Sequence, residues 1–194
     1  MIIGVLGLQG DFDAHRKMVE KIGAECRIVR HPEDLKAIDG LIIPGGESTT
    51  ITRLLLRSKL AGPIRRFYKK GKPIFGTCAG MILLAKRIVN HPDQFRFGFI
   101  DIAIERNAYG RQIDSFEEDI RIPSLGSEPF HAVFIRAPKI SQMGRNVETL
   151  AKNGAGHVLV RQGNVLVCSF HPELTHDTRI HGYFLGMAGF HFGT

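Results

Sequence analysis

The chain has 194 residues, of which 43% are hydrophobic and 23% are charged. This composition is ordinary for a soluble globular protein and argues against disorder, and the length suits one domain spanning residues 1–194. No apolar run approaches the roughly 18 residues that a bilayer-crossing helix needs, so we expect no association with a membrane.

The formal net charge is +7 at neutral pH, a value that raises the question of nucleic-acid binding. The densest basic cluster, residues 65–72, falls on or after a short predicted helix. We interpret this cluster as a solvated helix face rather than a nucleic-acid site, with binding to an acidic patch of a protein partner ranking between the two. We therefore expect no nucleic-acid partner.

The chain contains three cysteines, Cys26, Cys78 and Cys168. An odd number cannot all pair within one chain, so a reducing compartment, the cytoplasm, is the simplest inference. Cys26 and Cys168 lie inside apolar strands without flanking glycines, which is typical of core residues. A cysteine with a special role is therefore expected to act chemically rather than structurally.

The first half of the chain alternates strands and helices. A continuous apolar run, typical of a strand buried on both faces of a parallel sheet, occurs at 2–8, and further strands are predicted at 26–30, 40–44 and 72–76. Three helices are expected between or after them: from about residue 13 to Gly23, after Gly45-Gly46 with Ser48 or Thr49 as the cap, and from Ala79 to Arg87. This order predicts an α/β fold with an open, mainly parallel sheet flanked by helices, as in flavodoxin-like proteins.

The second half carries short strands separated by turns. They are predicted at 101–106, 118–123, 131–137, 157–163 and 164–170. We expect them to extend the sheet in an antiparallel manner, which makes it a mixed sheet. A last helix from about Asp177 should bury Ile180, Phe184, Met187 and Phe190.

The segment Gly76-Thr77-Cys78-Ala79-Gly80 has the form of a nucleophile elbow in which cysteine replaces serine. A strand must reverse sharply into a helix there, and only very small residues fit two positions on either side of the central residue. Cys78 would stand at a helix N-terminus, where the helix dipole favours the thiolate. The alternative is an ordinary buried cysteine.

A nucleophilic cysteine needs a base, and His171 has the most informative neighbours of the nine histidines. We expect Pro172 to keep the segment extended, so that His171 and Glu173 point to the same side. Glu173 could then orient the imidazole towards Cys78, as in a catalytic triad. A surface turn is the alternative. A metal site is less favoured, because the spacing of His171 and His176 is not that of a zinc motif.

The segment from Gly45 to Ser48 follows a strand end and could supply an oxyanion hole. The amides of Gly46 and Ala79 are the expected donors. A phosphate-binding loop is disfavoured because the G-x-x-x-x-G-K-[ST] pattern is absent from the sequence. A plain turn between strand and helix remains the alternative.

The motifs PGGES, GTCAG and FHPEL, in that order, resemble those of triad-type (class I) glutamine amidotransferases. The segments GVLGLQGD, PGGESTT, ERNAYGRQIDSFE, FIRAP and FHPELT narrow the resemblance to the glutaminase subunits of pyridoxal 5′-phosphate synthase. The similarity runs from about residue 3 to residue 185. ERNAYGRQ and FIRAP are its specific part, since GTCAG and HPE are common to all triad amidotransferases.

The resemblance implies an enzyme that hydrolyses glutamine with a triad of Cys78, His171 and Glu173. It implies glutamine contacts from Gly45, Gly46, Glu47, Arg106 and the backbone of Ile135 and Arg136. It also implies a synthase subunit as the partner that receives the ammonia for vitamin B6 synthesis. Pyridoxal phosphate would then be a product, and this chain would need no cofactor and no metal.

Two other functions compete with glutamine hydrolysis. An independent cysteine hydrolase or peptidase of the same architecture would act on a peptide or thioester, whereas a non-catalytic binding subunit would form no glutamyl adduct. If a partner controls the site, the Gly45-Gly46 peptide is a plausible switch. The neighbouring loop of Gln9, Gly10 and Asp11 is the candidate for sensing that partner.

Overall fold

The computed structural model describes residues 1–106, 115–154 and 156–191. Most of the ERNAYGRQIDSFE segment lies outside these ranges. The α-helices are α1 (Phe12–Ile22), α2 (Ser48–Arg57), α3 (Ala61–Lys69), α4 (Ala79–Leu84) and α5 (Arg179–Met187). The strands of the first half are β1 (Ile2–Leu6), β2 (Glu25–Val29), β3 (Gly40–Ile43), β4 (Ile74–Thr77) and β5 (Ala85–Ile88). Those of the second half are β6 (Ile100–Glu105), β7 (Ser115–Ile120), β8 (Phe130–Ile135), β9 (Lys139–Met143), β10 (Glu148–Asn153), β11 (Gly156–Gln162) and β12 (Val165–Cys168).

The main sheet has seven strands in the order β10-β11-β12-β4-β3-β1-β2. The strands from β12 to β2 pair in parallel, whereas β10, β11 and β12 pair antiparallel. The predicted mixed, mainly parallel sheet is thus confirmed. Because β12, β4, β3 and β1 are neighbours, their carboxyl ends bring four loops together at one edge.

The alternation of side chains along the strands buries both faces of this sheet. Leu41 and Ile43 of β3 pack on the side of α2, α3 and α4, and Ile42 packs on the side of α1 and α5. The helices therefore form one layer on each face, as the sequence predicts for a doubly wound fold. None of the helices in the described ranges is long and apolar enough to span a membrane.

Two small sheets stand apart from the main one: β5-β6-β9, and the antiparallel hairpin of β7 and β8. The expectation that all the late strands extend one sheet was therefore wrong. The predicted helix from Ala79 to Arg87 was too long, since it ends at Leu84 and Ala85 begins β5. Pairing of Ala85 with Ile100 across the small sheet overrides the helical pattern there.

The basic cluster at 65–72 is not one continuous cationic surface. The Arg65 guanidinium donates to the carbonyl oxygens of Phe97 (2.9 Å) and Arg96 (3.2 Å) and lies over the Phe97 ring. Lys72 forms an ion pair with Asp39 at 3.2 Å. These two charges have partners within the chain, which supports the interpretation of this region as an ordinary helix surface.

Candidate active site

Cys78 occupies a sharp turn between β4 and α4. Its backbone is in the left-handed region, with φ 47° and ψ −101°, as expected for the central residue of a nucleophile elbow. A Cβ on Gly76 would come within 2.7 Å of the Gly80 carbonyl carbon, and a Cβ on Gly80 within 2.0 Å of the Ile43 oxygen. Both glycines are therefore required for the strand and helix to meet this closely.

The strand that precedes the base lies directly beside the elbow. β12 pairs in parallel with β4, and the ladder continues past its end through a 2.9 Å hydrogen bond from the Cys78 amide to the Cys168 oxygen. His171 follows three residues later, and its own amide donates to the Val133 oxygen of β8 at 2.8 Å. Neighbouring strand ends thus bring His171 to the elbow.

His171 Nδ1 and Glu173 Oε1 are joined by a 2.7 Å hydrogen bond, and both side chains are buried. The extended backbone expected for this segment was wrong, because Pro172 begins a one-turn 3₁₀ helix from Pro172 to Leu174. Proline suits the first position of a helical turn, where its missing N–H is not needed. The predicted contact between His171 and Glu173 nevertheless forms, from a helical turn rather than from an extended segment.

Electrostatics in this group favours a charged pair. Burial alone lowers the pKa of His171, but hydrogen bonds with Cys78 and Glu173 outweigh it and raise this pKa to about 10. Burial raises the pKa of Glu173, but the imidazoles of His15 and His171 outweigh it and lower this pKa to about 2. At neutral pH the His171 imidazole is therefore protonated, and the Cys78 sulfur and the Glu173 carboxylate both stabilise its positive charge.

The Gly45-Gly46 segment reaches the same edge from β3. The Gly45 amide donates to the Thr77 hydroxyl at 3.0 Å, so it is already used within the protein. Gly46 has φ 150°, and the next amide, that of Glu47, donates to Gln9 Oε1 at 2.9 Å. The amides on both sides of Gly46 are thus engaged, which supports Gly46 itself as the donor facing a substrate oxygen.

The loop of Gln9 and Gly10 lies against this segment. A Cβ on Gly10 would come within 1.8 Å of the Gly45 oxygen, and a Cβ on Gly46 within 2.6 Å of Gln9 Oε1. The two loops are in direct backbone contact, so a movement of one must displace the other.

Two of the contacts can be described for the residues that the resemblance implies for glutamine binding: one at Cys78, the other between Glu47 and Arg106. The thiol of Cys78 contacts the Ile135 oxygen at 3.7 Å, and Arg136 has a left-handed backbone with φ 45°. Arg106 Nη2 lies 3.9 Å from Glu47 Oε1, and its Nη1 donates to Gln94 at 2.5 Å. Arg106 is thus positioned beside Glu47 by a partner within the chain.

Glu47 also has a role that the sequence analysis assigned to others. Its carboxylate accepts hydrogen bonds from the amides of Thr49 (3.0 Å) and Thr50 (2.6 Å) and is the N-cap of α2. The expectation of Ser48 or Thr49 as the cap was wrong. The Glu47 side chain is still 53% exposed, so its outer face is open to a ligand.

Asp11, His171 and Glu173 each offer a potential metal ligand within 4.8 Å of the others. Asp11 Oδ2 lies 3.9 Å from His171 Nδ1. However, that nitrogen already makes its short hydrogen bond to Glu173, which accounts for the grouping as part of a triad. The approach of Asp11 to the base was not predicted from the sequence.

Three more buried polar residues border the site and were missed from the sequence: His15, Thr77 and His181. His15 Nε2 lies 3.1 Å from Thr77 Oγ1 and 3.3 Å from Glu173 Oε2. A signal existed in α1, because His15, Met18, Val19 and Ile22 have the spacing of one helical face.

Comparison with known proteins agrees with this geometry. Residues 5–189 match the SNO glutamine amidotransferase family. The chain is 57% identical to pyridoxal 5′-phosphate synthase subunit PdxT of Thermosipho africanus, over 96% of this chain and 98% of the relative. It is 58% identical to the subunit of the same name from Pseudothermotoga lettingae, over 97% and 96% of the two chains.

A crystal structure of a glutamine amidotransferase superposes with a TM-score of 0.93 at 49% sequence identity, over 98% of this chain and all of the other. This similarity extends over the full architecture of the chain. The family match and the relatives each cover nearly the whole chain. The chain therefore belongs to the SNO glutamine amidotransferase family.

Proposed function

We propose that this chain hydrolyses glutamine to glutamate and ammonia and supplies the ammonia for pyridoxal 5′-phosphate synthesis. The observation that carries the proposal is the buried 2.7 Å hydrogen bond between His171 and Glu173, just after the strand that pairs beside the Cys78 elbow. This arrangement supplies a nucleophile, its base and the group that orients the base. Family membership and the names of the relatives select glutamine as the amide.

The first step is attack of the Cys78 sulfur on the side-chain carbonyl carbon of glutamine, with the proton held on His171. The amides of Gly46 and Ala79 stabilise the oxyanion, at roughly 3–4 kcal/mol per donor. Interaction with the Cys78 sulfur is one of the causes that raise the His171 pKa. Acylation of the sulfur removes this influence, so the proton passes more easily from His171 to the departing nitrogen as ammonia leaves. Water, activated by His171, then hydrolyses the thioester to glutamate.

The ends of free glutamine suit the side chains around the elbow. Its α-ammonium would face the exposed side of the Glu47 carboxylate, and its α-carboxylate the guanidinium of Arg106. Gly45 and the backbone of Ile135 and Arg136 would line the remaining wall. The pairing of Arg106 with Gln94 holds the guanidinium beside Glu47, which supports this assignment.

The receiver of the ammonia would be a synthase subunit, because the relatives are themselves named as subunits of a synthase. Residues 1–194 would form a glutaminase domain that acts in the cytoplasm, where its free thiols stay reduced. Gln9 and Gly10 would sense the partner. Their backbone contact with Gly45 and Gly46 supports a direct route from the partner surface to the oxyanion donor.

The test is glutamate production at saturating glutamine, measured with and without a purified synthase subunit. We expect low activity alone and a large increase with the partner, because one misplaced oxyanion donor costs roughly 100- to 1,000-fold in rate. Equal rates in both would show that the site is preformed. Hydrolysis of peptides or thioesters without hydrolysis of glutamine would favour an independent cysteine hydrolase instead.

A further inference from the structure

A second pair of histidines lies behind the triad, fully buried on α1 and α5. His15 Nδ1 and His181 Nε2 are 2.9 Å apart, and neither side chain is exposed to solvent. The other nitrogen of His15 faces Thr77 Oγ1 at 3.1 Å and Glu173 Oε2 at 3.3 Å. This imidazole therefore contacts the triad carboxylate from the side opposite His171.

Both imidazoles are neutral near pH 7. Burial lowers the pKa of His181 to about 3. For His15, burial lowers the pKa, and the opposing influence of Glu173 does not overcome it. A neutral imidazole has one N–H donor and one bare nitrogen, so the hydrogen bonds can be used to assign each proton.

The outer nitrogen of His181, Nδ1, is buried and has no hydrogen-bond partner within the described ranges. A buried N–H left unpaired costs more than a bare nitrogen in the same place. The proton of His181 therefore lies on Nε2 and is donated to His15 Nδ1. His15 then carries its own proton on Nε2.

This assignment agrees with what surrounds His15 Nε2. If Nε2 carried no proton, its lone pair would face the Glu173 carboxylate and repel it. An N–H at Nε2 instead places a positive partial charge near the carboxylate and attracts it. The N–H is aligned with the Thr77 hydroxyl, which also accepts the Gly45 amide at 3.0 Å. Glu173 Oε2 is buried, and among the described residues it has no hydrogen bond of its own.

We propose that His15, fixed in its Nε2–H form by His181, is a positioning residue that holds the Glu173 carboxylate in register with His171. The same imidazole joins Glu173, through Thr77, to the Gly45 segment that carries the oxyanion donor. It thereby links the acid of the triad and the oxyanion loop to one buried group. The inference rests on the proposed function, since it concerns how the glutaminase site is held.

The position of the proton on each of the two histidines can be measured directly in the unsubstituted protein. A long-range ¹H–¹⁵N spectrum of the labelled protein distinguishes N–H from bare ring nitrogens, and His15→Gln and His181→Gln identify the signals that disappear. We expect both residues to be protonated on Nε2. Protonation of either residue on Nδ1 would overturn the proposal.

Kinetics supplies a second test, in the complex with the synthase subunit. The amide nitrogen of Gln reaches the position of histidine Nε2, whereas that of Asn reaches Nδ1. His15→Gln should therefore stay within about threefold of the unmodified enzyme in kcat. His15→Asn should lose roughly tenfold or more in kcat, because a displacement of about 1 Å in a catalytic group can cost up to about 100-fold, with KM changed less than about twofold.

A double-mutant cycle separates this role from a general effect on the fold. If His15 acts through Glu173, His15→Asn should have little further effect on kcat when Glu173→Gln is already present. Equal losses in both backgrounds would show a merely structural role and contradict the proposal, and thermal unfolding of all four proteins monitors folding. Absence of glutaminase activity in the unmodified complex would instead refute the proposed function, while leaving the spectroscopic assignment intact.

Discussion

Gly45 lies against the imidazole of His171, and a Cβ at Gly45 would come within 2.4 Å of His171 Cε1. The base of the triad thus occupies the space that any other residue at position 45 would fill. The oxyanion segment and the base are packed together as one unit, although 126 positions separate them in the chain.

The Gly45→Ala substitution should therefore displace His171. We expect kcat for glutamine to fall by roughly 100-fold, since a shift of about 1 Å in a catalytic group can cost that much. The matched control is Gly186→Ala in α5, where an added Cβ meets nothing within 4 Å. Steady-state kinetics with the partner present would measure both, and equal activity of the two variants would contradict the packing argument.

Cys78 should be the cysteine that reacts with an electrophilic glutamine analogue. Burial raises the pKa of Cys26 to about 12 and that of Cys168 well above its ordinary value, so both stay protonated and unreactive. Peptide mapping after labelling should find the adduct on Cys78, and Cys78→Ala should abolish both labelling and hydrolysis. A main adduct on Cys26 or Cys168 would refute the assignment of the nucleophile.

Substitutions of the other two triad residues, His171 and Glu173, should lower the rate of hydrolysis to different extents. His171→Asn removes the proton carrier, so we expect hydrolysis to fall by roughly four orders of magnitude or more. Glu173→Gln removes the charge that orients the imidazole, and we expect this variant to retain more activity. Unchanged activity of Glu173→Gln would reduce the triad to a cysteine–histidine dyad.

Glu173 should also affect stability in acid. Its pKa is lowered from 4.5 to about 2 in the folded chain, so the stability that it contributes is present above pH 4.5 and is lost as the pH falls towards 2. By linkage this amounts to about 2 kcal/mol between pH 6 and pH 3. Urea unfolding at both values should show a smaller loss for Glu173→Gln, and equal losses would contradict the shift.

Gln9 should matter for activation by the partner. Its side-chain oxygen holds the Glu47 amide at 2.9 Å, one residue after Gly46, and Gln9→Ala would release that amide. We expect the ratio of partner-stimulated to basal glutaminase rate to fall. The corresponding measurement is the rate of glutamate formation during titration with the synthase subunit, and an unchanged ratio would exclude Gln9 from sensing.

Much of the elbow could be predicted from the sequence because its constraint is local. Gly76 and Gly80 flank Cys78 at fixed spacing, and the approach of strand to helix leaves no room for a side chain at either position. The order of apolar runs likewise predicted the parallel sheet, since a strand buried on both faces shows no alternation. Family resemblance added the glutamine contacts, which the residues alone did not single out.

Two of the misses come from contacts between distant segments. Strand β9 (Lys139–Met143) is polar and half exposed, and it forms because β6 offers it an edge for pairing. Burial of His15 was not predicted, because histidine is a polar residue and the sequence alone does not show the contacts that bury it. Its partners Glu173 and His181 lie more than 150 positions away, and only the folded sheet brings them together.

The hydrogen bond from the Cys78 amide to the Cys168 oxygen ties the elbow into the centre of the main sheet. Its amide proton should therefore exchange with deuterated water only when the sheet itself opens, as slowly as those of the core strands. We therefore expect Cys78 to become disordered only when the main sheet unfolds. On heating, we expect loss of activity and loss of the fold to coincide in a single transition.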